Sequence, residues 1–174
     1  TIDRASDKGE VAVHIASNNI KGGEMAAEYI VSKLGEGTPV AELEGIPGAS
    51  ASRERGQGFH NIADKKLKVL AKQSANFDRS QGLTVSENIL QANPDVKAIF
   101  AQNDEMALGA ISAAKAANKQ IFIIGFDGTD DGVKAVKDGT MAATIAQQPD
   151  KMGEIGVDAA LKLAKGENVE KNIA

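Results

Sequence analysis

Three apolar runs in this chain each end by presenting one neutral or acidic hydrogen-bonding side chain. Phe100-Ala101-Gln102-Asn103 presents Asn103, Ile123-Ile124-Gly125-Phe126-Asp127 presents Asp127, and Thr144-Ile145-Ala146-Gln147 presents Gln147. In a parallel α/β sheet such residues gather in the crevice outside the carboxyl ends of the strands, where ligands bind. An Asn, an Asp and a Gln together supply donors and acceptors without positive charge. That set suits a neutral polyhydroxyl ligand, a sugar, better than a phosphate. Each residue also has a plainer role. Asn103, followed by Asp104-Glu105, suits a helix N-cap with acidic residues favoured by the helix dipole. Asp127-Gly128 is a common turn dipeptide.

Two further groups could join such a crevice. Arg53-Glu54-Arg55 opens a helix after the flexible Gly45-Ile46-Pro47-Gly48 loop. Most such charges are solvated, yet an Arg near the strand ends can hold a hydroxyl or ring oxygen with its rigid fork. Phe77, in Asn76-Phe77-Asp78, is an aromatic in a polar loop; core packing is one reading and a platform for sugar C–H groups the other. Signals for catalysis are weak. His14 and His60 are the two histidines and there is no Cys, so no zinc site is expected. Gly48-Ala49-Ser50-Ala51-Ser52 lacks the second glycine of a nucleophile elbow. Neither a Walker A sequence nor Gly-x-Gly-x-x-Gly occurs. The chain reads as a non-enzyme without cofactor or metal.

Elements that would position these residues alternate along the chain. Short apolar runs fall at 11–16, 40–46, 69–74, 98–102, 121–126 and 142–146. Between them apolar residues recur at helical steps: Met25, Tyr29, Ile30 and Leu34 with Gly35 as a cap; Val85, Ile89 and Leu90, stopped by Asn93-Pro94; Met106, Leu108, Ala110, Ile111 and Ala114; Val133 and Val136; Val157, Leu161 and Leu163. Repeated strand–helix alternation predicts right-handed crossovers and an α/β fold, a doubly wound parallel sheet in three αβα layers. Gly22-Gly23 suggests that the first helix starts after the pair, or else that another body packs closely there, because interior glycines cost about 1 kcal/mol each. At the ends, Thr1-Ile2-Asp3-Arg4 resembles the close of a strand begun elsewhere, and the polar tail 165–174 is expected to lack a closing strand.

A chain of 174 residues is enough for one domain with a sizeable core. A net charge of −4 argues against a sequence-independent grip on nucleic acid. No run approaches the roughly 20 apolar residues of a membrane span, and the first residues carry no signal-peptide pattern. Zero cysteines leave either redox compartment open. With aromatics at 3% and no Trp, an aromatic cage is out of reach.

Taken together, Ile2-Asp3-Arg4, Gly45-Ile46-Pro47-Gly48 through Arg53-Glu54-Arg55-Gly56, Asn76-Phe77-Asp78, Ala101-Gln102-Asn103-Asp104-Glu105-Met106, Gly125-Phe126-Asp127-Gly128 and Ala146-Gln147 resemble the C-terminal part of bacterial periplasmic ribose-binding proteins. The likeness runs over nearly the whole chain. It implies one lobe of a two-lobe, type I periplasmic binding protein that closes over D-ribose or a similar furanose. The bound sugar would pass to a membrane ABC permease, and in some cases to a chemotaxis receptor. By position, Arg55, Asn103, Asp127 and Gln147 would hydrogen-bond the sugar and Phe77 would stack on it. Asp3 and Arg4 would come from the other lobe, beside the first crossing. The resemblance divides the chain into 1–17 (a remnant of the first lobe and first hinge crossing), 18–147 (the sugar-binding lobe) and 148–174 (second crossing, helix and tail of the first lobe). The missing N-terminal lobe would be a partner, and the piece alone would bind weakly. Two other readings share the architecture: the effector core of a lac-repressor-family regulator, and a sugar-modifying enzyme.

Overall fold

The computed structural model describes residues 1–174 and runs β1 (His14–Ile15), α1 (Asn19–Leu34), β2 (Pro39–Glu44), α2 (Ser50–Lys66), β3 (Lys68–Ser74), α3 (Arg79–Ala92), β4 (Ala98–Ala101), α4 (Asp104–Ala116), β5 (Phe122–Asp127), α5 (Asp130–Lys137), β6 (Ala143–Ala146), α6 (Pro149–Ala164) and β7 (Asn172–Ile173). Five strands form one parallel sheet in the order β3-β2-β4-β5-β6. The two-residue period of a strand feeds two separate cores. Val40, Ala98, Phe100, Ile124 and Phe126 pack under α1 and α2, with Ala26, Ile30 and Phe59. Ala41, Leu43, Ile99, Ala101 and Ile123 face α3, α4 and α5, with Ile89, Met106 and Ala110. Strands buried on both faces read as continuous apolar runs. That is why the runs at 98–102 and 121–126 locate β4 and β5 within a residue.

The helix pairs approach unusually closely. α1 begins at Asn19, capped by the Asn18 side chain, so Gly22 and Gly23 lie inside the helix rather than before it. The expected later start is therefore wrong, and the alternative, close packing, accounts for the pair. A methyl on Gly23 would stand 2.7 Å from the Phe59 nitrogen, and one on Gly58 of α2 would stand 2.8 Å from the Ile20 carbonyl carbon. On the opposite face, Gly82 of α3 meets Met106 in the same manner, at 2.7 Å from its Cα. Removing a side chain on each side lets backbone meet backbone, and that contact offsets the helix-propensity cost of glycine.

β1 and β7 form a separate two-stranded parallel sheet, and Ile2 bridges to Ile15 beside it. The tail therefore does end in a short strand, against expectation: Asn172 and Ile173 find β1 as an edge to pair with. Val13, Ile15 and Ala159 bury a third, small core between this pair and α6. Met152 and Ile155 of α6 pack against it, but the helix's other large apolar residues do not. Val157 and Leu161 are 62% and 55% exposed, because the helix rests on its Ala159 side. In α1, likewise, Ala26, Ala27 and Ile30 take the inward face while Met25 and Leu34 stay exposed. No helix is long and apolar enough to cross a membrane.

Candidate functional site

The order β3-β2-β4 records a change of direction: the chain steps outward from β2 to β3, then returns past β2 to β4. A crevice opens at such a point, outside the carboxyl ends of the strands. There Asp3, Arg4, Ala51, Arg55, Phe77, Asn103, Asp127 and Gln147 line one cavity of about 200 Å³. All the residues singled out from the sequence line it together; Ala51 is the addition. A larger hollow of about 770 Å³ lies at the opposite edge of the sheet, among Pro39, Lys97, Ile121 and Phe122. Its polar lining is rich in lysine, with Lys97, Lys115 and Lys119, and carries no carboxylate.

Each side chain is fixed by its local structure. Asn103 caps a helix and also lines the cavity. Its Oδ1 accepts from the Met106 N–H as the cap of α4, at 2.9 Å, while its Nδ2 donates to the Phe77 carbonyl at 3.3 Å. Glu105, two residues along, is half-buried and pairs with Arg79. Phe77 sits at φ 59° after Asn76 at φ 54°, a left-handed pair that turns the ring back over Gly45. Gly45 leaves room for the ring in this position, since a Cβ there would overlap it. Arg4 and Arg55 lie 5.7 and 5.9 Å from the ring centroid. Asp3, at φ 67°, is held by its N–H to the Ile15 carbonyl at 2.8 Å, and so follows β1 rather than the large sheet.

Arg55 is buried, with 4% of its side chain exposed. Its Nε donates to Asn19 Oδ1 at 2.9 Å and its Nη1 to the Gln102 carbonyl at 2.6 Å. Its Cζ stands 3.8 Å from the centroid of the Phe126 ring, a cation–π contact. The Asp127 carboxylate is 3.4 Å away. Burial pulls the Arg55 pKa down, the Asp127 charge opposing it. Burial likewise pushes Asp127 up to about 6, with Arg55 and the Gln147 hydrogen bond pulling the other way. Both partners are thus penalised despite facing each other. A single contact at 3.4 Å, rather than a bidentate fork, is too weak to repay two desolvations.

Gln147 joins the cavity to the crossing between the sheets. Its Nε2 donates to Asp127 Oδ1 at 2.6 Å, and its Oε1 accepts from Ser17 Oγ at 2.8 Å. Its backbone N–H donates to the Asp127 carbonyl at 2.9 Å.

A second layer escaped the sequence reading. Asn19 and Gln102 hold Arg55. The Gln102 side chain also accepts from the Gly45 N–H at 2.9 Å and Ser52 Oγ at 2.7 Å, and donates to Glu42 at 2.8 Å. Glu42, fully buried in β2, reaches His60 at 2.9 Å, and His60 reaches Asp64 at 2.6 Å. The hydrogen bond from Glu42 raises the His60 pKa to about 9. Buried Gln and Glu side chains in the middle of apolar runs were the available signal.

The arrangement offers hydrogen-bond acceptors from a partly protonatable carboxylate, donors from a guanidinium and two amides, and one aromatic face. No groups of three or more His, Cys, Asp or Glu side chains are placed to hold a metal ion. Residues 1–168 match the periplasmic binding protein domain family. The chain is 61% identical to the ribose import binding protein of Haemophilus influenzae, covering 99% of this chain and 60% of that protein. To the ribose import binding protein of Bacillus subtilis it is 56% identical, covering 100% and 57%. It superposes with a TM-score of 0.93, at 31% identity, on the periplasmic binding protein of the arabinose ABC transporter from Shewanella sp. ANA-3 bound to L-arabinofuranose, covering 99% of this chain and 61% of that one. The chain thus spans about three fifths of the length of the relatives it matches.

Proposed function

Since the chain belongs to the periplasmic binding protein family, we propose that it is the greater part of the solute-binding component of a sugar ABC importer, and that its cavity takes D-ribose. One observation carries this reading: Arg55, Phe77, Asn103, Asp127 and Gln147, from five different segments, converge on a cavity of about 200 Å³. That volume lies below the range of drug-sized pockets and suits one small sugar. Asp127 gives both of its protein contacts through Oδ1, so Oδ2 is left for hydroxyls. Phe77 offers a ring face for the sugar's C–H groups. The names of the two ribose-binding relatives favour ribose among furanoses, and the protein works in the periplasm with a membrane permease as its partner. A chemotaxis receptor would read the same loaded form.

The proposed division follows the crossings: 1–17 and 148–174 belong with a first lobe, 18–147 form the second. Sugar held by 18–147 alone meets an open half-site. Hydrogen bonds in competition with water contribute about 0.5–1.5 kcal/mol each. Four of them stand against an association cost of at least about 4 kcal/mol. Affinity of this chain alone is therefore millimolar or weaker.

A titration of D-ribose into isotope-labelled chain, followed by NMR up to tens of millimolar, tests the reading. Saturable shifts confined to the loops of Arg55, Phe77, Asn103, Asp127 and Gln147 support it. Flat spectra from a folded sample mean that the isolated chain keeps the fold without the function, or that ribose is the wrong ligand. Micromolar binding by a monodisperse monomer refutes the half-site arithmetic.

A further inference from the structure

Asp104, the first residue of α4, is a fully buried carboxylate whose bonds all run to the chain around Asp127. Its Oδ2 accepts from the Thr129 N–H at 2.8 Å and from Thr129 Oγ1 at 3.0 Å, and its Oδ1 accepts from Thr144 Oγ1 at 2.7 Å. Thr144 Oγ1 in turn accepts from the Gly128 N–H at 3.1 Å. The donors are neutral, so the helix N-terminus is the nearest compensation for the buried charge. Gly125 and Gly132 are shaped around it, since a methyl at either position would overlap the carboxylate. An apolar side chain in such a place is commonly as stable or more so; a buried charge that persists there serves a geometry.

The geometry in question is unfavourable by itself. Asp127 has φ 118°, in the half of backbone space that favours glycine. Strained residues persist where the surroundings over-determine them. On this evidence we propose that Asp104 is the positioning residue for Asp127, clamping Gly128 and Thr129 through the Thr129 and Thr144 hydroxyls so that the Asp127 carboxylate faces Arg55 and Gln147. Its relevance to ligand binding rests on the sugar reading of the cavity; the clamp itself does not. Asp104 does not itself line the cavity, though its chain neighbour Asn103 does.

The test uses the labelled chain without ligand first. Asp127 is faced by the charges of Arg55, Asp3 and Asp104, and titrates near 6. In Thr144→Val the clamp loses one hydroxyl and the Gly128 N–H its acceptor. The Asp127 carboxyl carbon should then titrate at least about one unit lower, toward the ordinary carboxylate range, as the loop relaxes into water. Thr144→Ser keeps the hydroxyl and should restore the native titration, which a purely space-filling threonine would not predict. Asp104→Asn should lower the Asp127 pKa as well, by removing a like charge. A Thr144→Val protein that titrates like the parent, or a Thr144→Ser protein that behaves like the valine variant, overturns the proposal. Should the valine variant not fold, hydrogen exchange in the parent decides. The Gly128 and Thr129 amides should exchange on the order of 100-fold more slowly than that of Gly9 in its exposed loop; equal rates overturn the clamp. Ribose is added last. Weakening by about threefold or more in Thr144→Val extends the clamp to binding. A flat ribose response beside an intact Thr144–Asp127 coupling sinks the sugar reading and still supports the clamp.

Discussion

Replacing Gly58 by Ala, and separately Gly153 by Ala, sets the same chemical change in two surroundings with opposite expected signs. Both glycines lie inside helices, α2 and α6. Alanine in a helix interior is favoured over glycine by about 1 kcal/mol. At Gly153 nothing stands within 4 Å of the added methyl. That substitution should raise stability by up to about 1 kcal/mol. At Gly58 the methyl would stand 2.8 Å from the Ile20 carbonyl carbon and closer still to the carbonyl oxygen. Carbon atoms in contact prefer about 3.5–4.0 Å, so α1 must withdraw by roughly 1 Å or the methyl must be squeezed. Over-packing of this kind costs about 1–3 kcal/mol, and here the obstacle is backbone that no rotamer can move. The propensity gain offsets about 1 kcal/mol of it, leaving a net loss of up to about 2 kcal/mol. The side effect is local: Arg55 lies one turn before Gly58, and its bond to Asn19 spans the same helix pair. Urea unfolding of the two variants and the parent, with the slope checked for constancy, measures both signs. Equal shifts in the two midpoints would refute the idea that backbone proximity, rather than composition, explains these glycines.

Further outcomes follow from the charges. The His60 pKa is raised from 6.5 to about 9, so its contribution is full below pH 6.5 and is lost as pH rises through 9; His60→Asn should flatten the stability profile over that window by up to about 3 kcal/mol, as read by thermal unfolding against pH. Asp127 is raised from 3.8 to about 6, so the folded state holds its proton more tightly and stability falls as pH rises from about 4 to 6. Asp127→Asn should therefore be more stable than the parent at pH 7.5, by up to about 3 kcal/mol, with the gap closing at pH 4, while ribose-induced NMR shifts disappear. Arg55→Met leaves Asn19 and Gln102 without their donor and removes the charge that holds Asp127 down. It should destabilise by about 2–4 kcal/mol, and the Asp127 carboxyl should titrate above its parent value by carbon NMR; a lower value would contradict the ion-pair geometry. Phe77→Ala should leave stability within about 1–2 kcal/mol, since the ring is only half-buried, and abolish the ribose response.

What the sequence displayed and what it hid divide along a physical line. Strands buried on both faces leave a run of apolar letters, and the polar letters just after the run lie at the carboxyl end of the strand; Asp127 and Gln147 follow their runs directly, and Asn103 comes one letter after Gln102. Asp104, Gln102 and Glu42 lie beside or within those same runs. Nothing in periodicity separates a buried carboxylate whose partners come from distant segments, such as Thr144 for Asp104, from an exposed one. The start of α1 was misread for a related reason: the residue that excuses Gly23 is Phe59, more than thirty positions away. The exposed Val157 and Leu161 mark the limit in the other direction, since helical spacing reveals an apolar face but not what lies against it. A two-residue strand at 172–173 carries too few letters to be seen without its partner β1.

Gln147 has one side chain and two obligations. Its amide nitrogen belongs to Asp127 and its amide oxygen to Ser17, in the segment that leads from β1 into α1. Any substitution that removes the Gln147 amide therefore cuts both bonds at once, freeing the Asp127 carboxylate and Ser17 together. One planar amide is thus shared between the cavity and the link that joins the small sheet to the large one.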